Sequence, residues 1–143
     1  MKVLVLNCGS SSIKYKLFEM TTKEVLAQGG IEKIGLPGSF LKLTLPNGEK
    51  KILEKDVPEH TTGVQFIFDT LTNAEYGAVN NLHEIKAVGH RVLHGGTKFS
   101  GSVLIDDAVI AAVEECCDLG PLHNPANLKG IYAVQKLLPE VPQ

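Results

Sequence analysis

The sequence predicts a mixed α/β domain whose sheet begins with antiparallel strands, and three observations support this fold class. Residues 3–6, 13–19 and 24–34 are apolar or alternating segments, and the turns between them are too short to hold a helix. Apolar residues at helical spacing follow in the second half of the chain. The 143 residues are enough for one domain with a normal core. This order differs from the regular strand–helix alternation of a doubly wound sheet.

The first three segments predict a meander. Residues 3–6 are continuously apolar, as expected for a buried strand. In the second segment Ile13, Tyr15 and Leu17 share one face, and the short turn before them predicts an antiparallel hairpin. The segment at residues 24–34 alternates in the same way and adds a third strand.

A small inserted hairpin is predicted next. Leu41, Leu43 and Leu45 alternate with polar residues, and Asn47-Gly48 is a strong turn signal. This hairpin interrupts the path from the meander to the first helix.

The rest of the chain predicts helix, strand, helix, helix. Thr61 or Thr62 is the expected N-cap of the first helix, and residues 85–93 form a strand. Residues 103–105 suggest a further short strand. Asp106 and the acid after it open the second helix, where negative charge suits the helix dipole.

The last helix is predicted from its N-terminal signal. Asn124 is the expected cap and Pro125 the first helical residue, and apolar residues then recur on one face.

Composition and charge exclude several function classes. The formal net charge of −2 gives no basic excess for nucleic acid or an anionic membrane surface. The N-terminal apolar run is too short for a signal peptide or a membrane span, so we expect a cytoplasmic protein. Cys8, Cys116 and Cys117 fit neither a disulfide framework nor zinc-ligand spacing.

Residues 7–14, Asn-Cys-Gly-Ser-Ser-Ser-Ile-Lys, form the most informative segment. A tight turn with Gly9 at positive φ can present backbone N–H groups and the hydroxyls of residues 10–12 to an anion. Lys14 adds a compact positive charge, and the amide oxygen of Asn7 can reach Mg²⁺ or its waters. The segment is not a Walker A loop, because Gly-Lys-Ser/Thr is missing. The alternative is an ordinary serine-rich hairpin turn.

A second signal surrounds Arg91, which lies in the apolar block at residues 89–96. A guanidinium grips a carboxylate or phosphate with two parallel hydrogen bonds, and a buried one needs such a partner. The alternative is an internal salt bridge to a core acid. His90 and His94 are either ligand contacts or structural histidines that satisfy buried polar groups.

The third signal is His123, inside the rigid Pro-Leu-His-Asn-Pro segment at residues 121–125. Here a histidine can donate to an oxyanion while the following helix dipole assists. The alternative is a plain capped turn.

Together these segments resemble the acetate kinase family, in its order and at its spacing, over essentially the whole chain. The resemblance implies the fold of the sugar kinase, heat-shock ATPase and actin superfamily, in which two ribonuclease-H-like domains close over nucleotide and substrate. Residues 1–143 would then be a single N-terminal ribonuclease-H-like domain of a longer two-domain kinase. The second, nucleotide-binding domain and the rest of the active site would lie after Gln143, so this chain alone would be inactive.

The resemblance also implies the substrates and one side of the site. The reaction would be reversible phosphoryl transfer from ATP, a co-substrate, to acetate, giving acetyl phosphate and ADP. Asn7 would help place Mg²⁺ or Mn²⁺, Lys14 would lie toward the ATP phosphates, and Ser10 and Ser12 would line the phosphate turn.

On the other side, the resemblance implies that Arg91 binds the carboxylate and that His123 lies close to the transferring phosphoryl group. Leu93 and Leu122 would line the pocket for the acetate methyl. A bulky leucine at position 93 favours acetate over propionate, although a methylene is worth only about 1–3 kcal/mol of discrimination.

Two alternatives stay open, and the family suggests one assembly. The chain could belong to a propionate or butyrate kinase of the same superfamily, or to a non-catalytic nucleotide-binding module. A pure nucleotide-binding module has no need of a carboxylate clamp such as Arg91. The family resemblance suggests a homodimer for the full-length protein.

Overall fold

A computed structural model describes residues 1–92, 101–118 and 124–143 of the chain. In this part the chain forms six strands, three α-helices and two short 3₁₀ turns. Their order is β1 Lys2–Cys8, β2 Ile13–Glu19, β3 Glu24–Glu32, β4 Phe40–Thr44, β5 Lys50–Glu54, α1 His60–Leu71, a 3₁₀ turn Leu82–Glu84, β6 Ile85–His90, α2 Asp107–Glu115, a 3₁₀ turn Cys116–Asp118 and α3 Asn124–Leu137.

All six strands belong to one sheet, in the order β5-β4-β3-β2-β1-β6. Strands β1 to β5 form an antiparallel meander. Strand β6 returns after α1 and pairs with β1 in the parallel direction, so that Leu6 lies beside His90. The C-terminal ends of β1 and β6 therefore lie side by side at the same end of the sheet.

The predicted hairpin forms, but it is part of the main sheet. Residues 40–44 pair directly with residues 28–32 of β3, which extends the meander from three strands to five. The turn at Gly48 has a φ of 87°, as the Asn-Gly signal predicted.

Three strand predictions are wrong in their bounds or their existence. The strand predicted over residues 85–93 ends at His90. Strand β3 ends at Glu32 because Lys33 adopts a φ of 61°. The backbone N–H of Ile34 then donates to the carbonyl of Ser11 instead of continuing the ladder. Residues 103–105 form no strand, and the N–H of Ile105 donates to the carbonyl of Gln143.

The helices begin close to their predicted positions, with one correction. Helix α1 is capped by Glu59, not by Thr61 or Thr62, because the Glu59 carboxylate accepts hydrogen bonds from both threonine N–H groups. Helix α2 begins at the two acids as predicted, and Asp106 is its N-cap, because its carboxylate accepts from the N–H three residues ahead. Helix α3 begins at Asn124.

The core lies between the sheet and helices α1 and α3. Alternate residues of β1 and β2 point into it, and Leu4, Leu6, Ile13 and Leu17 are fully buried there. Helix α2 packs on α3 through a second, smaller apolar cluster.

The strand residues that alternate with the core residues lie on the opposite face of the sheet. That face forms an open concave surface, which encloses a volume of about 970 Å³. In the three described ranges, no helix has the length and apolar character needed to cross a membrane.

Candidate active site

The open face of the sheet brings together two of the predicted site residues. Asn7 on β1 and Lys14 on β2 are direct partners in the antiparallel register. Both alternate away from the buried side chains of Cys8 and Ile13, and both line the concave surface. An amide oxygen and an ammonium group therefore lie next to each other at the end of the sheet where the serine turn begins.

The serine turn between β1 and β2 is closed by a hydrogen bond from the N–H of Gly9 to the carbonyl of Ser12, at 2.8 Å. The predicted positive φ at Gly9 is wrong, since only Gly35, Gly38 and Gly48 among the described glycines have one. Gly9 serves by its small size instead. A Cβ there would lie 3.0 Å from the Ser12 hydroxyl oxygen, so that hydroxyl is held close over the backbone of the turn.

The turn also contains hydrogen-bond donors that have no acceptor among the described residues. Among the described residues, none accepts a hydrogen bond from the N–H or hydroxyl groups of Ser10, Ser11 and Ser12. Ser10 is exposed and the other two serines are partly exposed. Adjacent unbonded N–H groups in a turn are suited to bind an anion such as a phosphate.

Two residues that the sequence did not single out donate hydrogen bonds to this turn from the helices that cover the core face of the sheet. The Nε2–H of His60, the first residue of α1, donates to the carbonyl of Gly9 at 2.6 Å. The side-chain amide of Asn127 in α3 donates to the carbonyl of Cys8 at 2.8 Å. Both side chains are buried, with exposed fractions of 3% and 5%.

Close packing of α3 on the end of β1 supports the same place. A Cβ at Gly130 would come within 2.5 Å of the Cys8 sulfur, so glycine allows the helix to lie directly against the strand. Burial raises the pKa of the Cys8 thiol to about 12. Cys8 is therefore a protonated packing residue rather than a nucleophile.

Arg91 lies at the same end of the sheet as Asn7 and the serine turn. The sequence predicted a buried residue, but Arg91 is exposed. Its backbone N–H donates to the carbonyl of Leu6, which places it beside Asn7, one residue beyond the end of β6. Its side chain is exposed, because the strand ends at His90 and Arg91 lies beyond it. No described acidic side chain forms an ion pair with Arg91, so the described residues do not support the internal salt bridge.

His90 is a structural histidine. Its Nε2 is hydrogen-bonded to the side-chain oxygen of Gln143 at 2.6 Å. Burial lowers the pKa of this imidazole, and the bond to Gln143 opposes that effect. A neutral ring facing α3 fits this position and leaves Arg91 as the cation at the end of β6.

Three further predicted site residues, Leu93, Leu122 and His123, lie outside the described residues, as does His94. Helix α3 begins at residue 124, directly after His123 in the chain. In its first turn, the Asn127 side chain bonds to the carbonyl of Cys8 at the end of β1. The first turn of α3 therefore lies next to the serine turn.

The described residues offer a magnesium ion a partial set of ligands. Asn7 supplies a half-buried amide oxygen at the serine turn, of the hard type that Mg²⁺ prefers. The described residues contain no cluster of three or more His, Cys, Asp or Glu side chains that could hold a metal. Such a site fits an ion held mainly by substrate phosphates and water, as is usual for Mg²⁺ bound with a nucleotide.

Comparison with known proteins shows the family to which the chain belongs. Residues 2–143 match the model of the Acetokinase family. The chain is 73% identical over 143 residues to the acetate kinase of Phocaeicola vulgatus, a match that covers 100% of this chain and 36% of that protein.

Two solved structures are similar. The crystal structure of Porphyromonas gingivalis acetate kinase superimposes with a TM-score of 0.98 at 66% identity, covering 99% of this chain and 36% of that one. A propionate kinase from Francisella tularensis superimposes with a TM-score of 0.89 at 35% identity, covering 99% of this chain and 35% of that one. The predicted α/β, ribonuclease-H-like fold is thereby confirmed, and the chain spans about a third of the length of these relatives.

Proposed function

Because the chain belongs to the acetokinase family, we propose that the full-length protein containing it transfers a phosphoryl group reversibly between ATP and acetate. The products of the forward reaction are acetyl phosphate and ADP. The chain would supply the N-terminal domain of a two-domain kinase, with the nucleotide-binding domain elsewhere in the full-length protein. This piece would then be inactive alone.

One observation in the structure carries the proposal. The ends of β1 and β6 meet, so Asn7 lies between Lys14 of β2 and Arg91 at the end of β6. The serine turn next to them has N–H groups without an acceptor among the described residues. Ligands of α/β proteins bind at the carboxyl ends of parallel strands, and this is such a place. The site combines a phosphate-binding turn with an exposed guanidinium that has no acidic partner among the described residues.

The chemistry needs positioning and charge neutralisation more than proton transfer. A carboxylate is already a nucleophile at neutral pH, so an acetate oxygen can attack the γ-phosphorus of ATP in line with the leaving oxygen. Arg91 would bind the acetate carboxylate, orient it and offset its repulsion from the phosphates. Lys14 and the donors of residues 10–12 would hold the phosphates, and His123 would donate to the transferring phosphoryl group.

Asn7 would hold the magnesium ion through its amide oxygen, directly or through a water. When bound, Mg²⁺ or Mn²⁺ supplies positive charge that offsets the charge of the phosphate oxygens.

Acetate is the favoured substrate among short acids. The identity to an acetate kinase is 73%, against 35% to a propionate kinase. Leu93 and Leu122 would line the methyl pocket, and a bulky leucine leaves little room for a longer acyl chain. Assembly as a homodimer remains a prediction from the family resemblance, and a cytoplasmic location remains a prediction as well.

The test uses the full-length protein and three variants. Acyl phosphate formation is measured with Mg-ATP and acetate, propionate or butyrate. Arg91→Ala should lower kcat/KM for acetate by about a hundredfold or more, because a charge-stabilising donor is lost. Arg91→Lys should recover only part of it, because an ammonium cannot make the two parallel hydrogen bonds. Lys86→Ala, an exposed cation on β6, is the control and should keep full activity.

Two outcomes would reject the proposal. Binding of Mg-ATP without acyl phosphate from any of the acids would leave a nucleotide-binding module. Faster turnover of propionate or butyrate than of acetate would assign the chain to one of those kinases.

A further inference from the structure

The serine turn is attached to two helices through two consecutive carbonyl groups. The carbonyl of Cys8 accepts from Asn127 of α3, and the carbonyl of Gly9 accepts from His60 of α1. The donors come from residues 119 and 51 positions away in the chain. Helices α1 and α3 also pack against each other, so both anchors belong to one layer.

These two bonds determine where the N–H groups of Gly9 and Ser10 point. A trans peptide is planar, and its C=O and N–H point in opposite directions. When His60 draws the carbonyl of Gly9 toward the helices, the N–H of Ser10 in the same peptide must point away from them. When Asn127 holds the carbonyl of Cys8, the N–H of Gly9 is directed to its bond with the carbonyl of Ser12.

The imidazole of His60 is suited to this task. A carbonyl only accepts, so Nε2 carries the proton in this bond. The ring is buried, and burial lowers its pKa, which keeps it neutral. Lys129 of α3 adds to this effect, whereas the bond to Gly9 and the charge of Glu59 oppose it. A neutral ring adds no charge of its own beside a phosphate site.

We infer that His60 and Asn127 are positioning residues, which hold residues 9–12 in the shape that binds the ATP phosphates. They touch no reacting atom and act through the orientation of two peptide groups. This inference rests on the proposed function, because it assigns a purpose to the turn of that same site. The competing interpretation is that the two bonds only stabilise the fold.

The sharpest test compares two amides at position 60 in the full-length protein. The side-chain nitrogen of Gln can reach the place of the histidine Nε2, whereas that of Asn is one methylene too short. His60→Asn should raise KM for Mg-ATP about tenfold, which corresponds to about 1.4 kcal/mol, since one buried carbonyl loses its donor. KM for acetate should change less than twofold. His60→Gln should recover most of the loss.

Two more variants complete the design. Asn127→Ala should raise KM for Mg-ATP in the same way, because the other anchor is removed. His83→Ala is the matched control, because His83 is an exposed histidine in the 3₁₀ turn before β6 and should behave as the unmodified protein.

A second measurement does not depend on activity. Amide hydrogen exchange at Gly9, whose N–H is bonded to the carbonyl of Ser12, should be faster in His60→Asn than in the unmodified protein, while exchange in β4 and β5 stays the same. Direct titration with Mg-ATP gives the dissociation constant if no acyl phosphate is formed. A failure of the proposed activity is thereby separated from a failure of the positioning role.

The result that would overturn the inference is a lower melting temperature for His60→Asn with unchanged exchange at Gly9 and unchanged affinity for Mg-ATP. Equal effects of Asn and Gln at position 60 would also overturn it, because the inference depends on a donor at the Nε2 position.

Discussion

Replacing Gly29 with alanine tests how tightly the centre of the sheet is packed. Gly29 lies on β3 between Tyr15 of β2 and Leu43 of β4. A Cβ at this position would come within 2.5 Å of the Lys42 carbonyl oxygen and within 3.0 Å of the Tyr15 ring. Since the nearer atom belongs to the backbone, β3 and β4 must move apart or the ring must shift.

The neighbouring residue provides a matched control. Gly30 lies on the same strand and faces the other side of the sheet, where a Cβ would meet its nearest atom, the Ile13 carbonyl oxygen, at 3.4 Å. That is an ordinary contact. Alanine at either position removes the extra flexibility of glycine from the unfolded chain, which is worth about 0.5–1 kcal/mol. Only Gly29→Ala also has the overpacking cost, about 1–3 kcal/mol.

The expected free energies of unfolding therefore differ in sign. Gly29→Ala should be less stable than the unmodified chain by about 1–2 kcal/mol, and Gly30→Ala should be as stable or slightly more stable. Urea unfolding followed by circular dichroism measures both, because the chain has no Trp for fluorescence. A gap of about 2 kcal/mol shifts the midpoint by about 1 M urea at a typical slope. Equal stability of the two variants would refute the packing argument.

Two further predictions concern buried titratable groups. The Tyr15 hydroxyl is buried without a hydrogen-bond partner among the described residues, so Tyr15→Phe should leave the free energy of unfolding unchanged or raise it by about 1 kcal/mol in the same urea assay; a clear loss of stability would mean that the hydroxyl does have a partner. Burial lowers the pKa of His60 and of His90 below the ordinary value of 6.5, so the unfolded chain binds more protons than the folded one just below that pH. Stability from these two groups is fully present above pH 6.5 and falls as the pH drops through 6.5 toward their folded pKa values. Urea midpoints at pH 7.5 and 5.5 should therefore differ less in the double variant His60→Gln, His90→Gln, and an unchanged difference would contradict this account.

The local structure of the site could be predicted from the sequence. Alternation predicted that Ile13 and Tyr15 face the core, and the hairpin signal then requires Asn7 and Lys14 to share the other face. The Asn-Gly turn and the start of α2 at its two acids could also be predicted, because each depends on residues within a few positions.

What the sequence could not show depends on contacts between distant residues. His60 carried no motif, because its role comes from the Gly9 carbonyl 51 positions away. The burial predicted for Arg91 was wrong because the apolar run around it continues past the residue where the strand ends. Both Glu59 and the two threonines after it are chemically able to cap α1, and the backbone decides between them.

The pairing of β1 with β6 has a consequence for how the domain folds. Every pair in the meander joins residues at most 18 positions apart, as Ile13 and Ile31 are, whereas Lys2 and Ile85 are 83 apart (85 − 2). That loop is a little over two doublings longer, so closing it costs about 1.2 kcal/mol more entropy. We therefore expect the meander to form early and β6 to join late. Asn7 and Arg91 become neighbours only at that late step, so nascent chains would contain the β1–β2 hairpin before they contain a complete site.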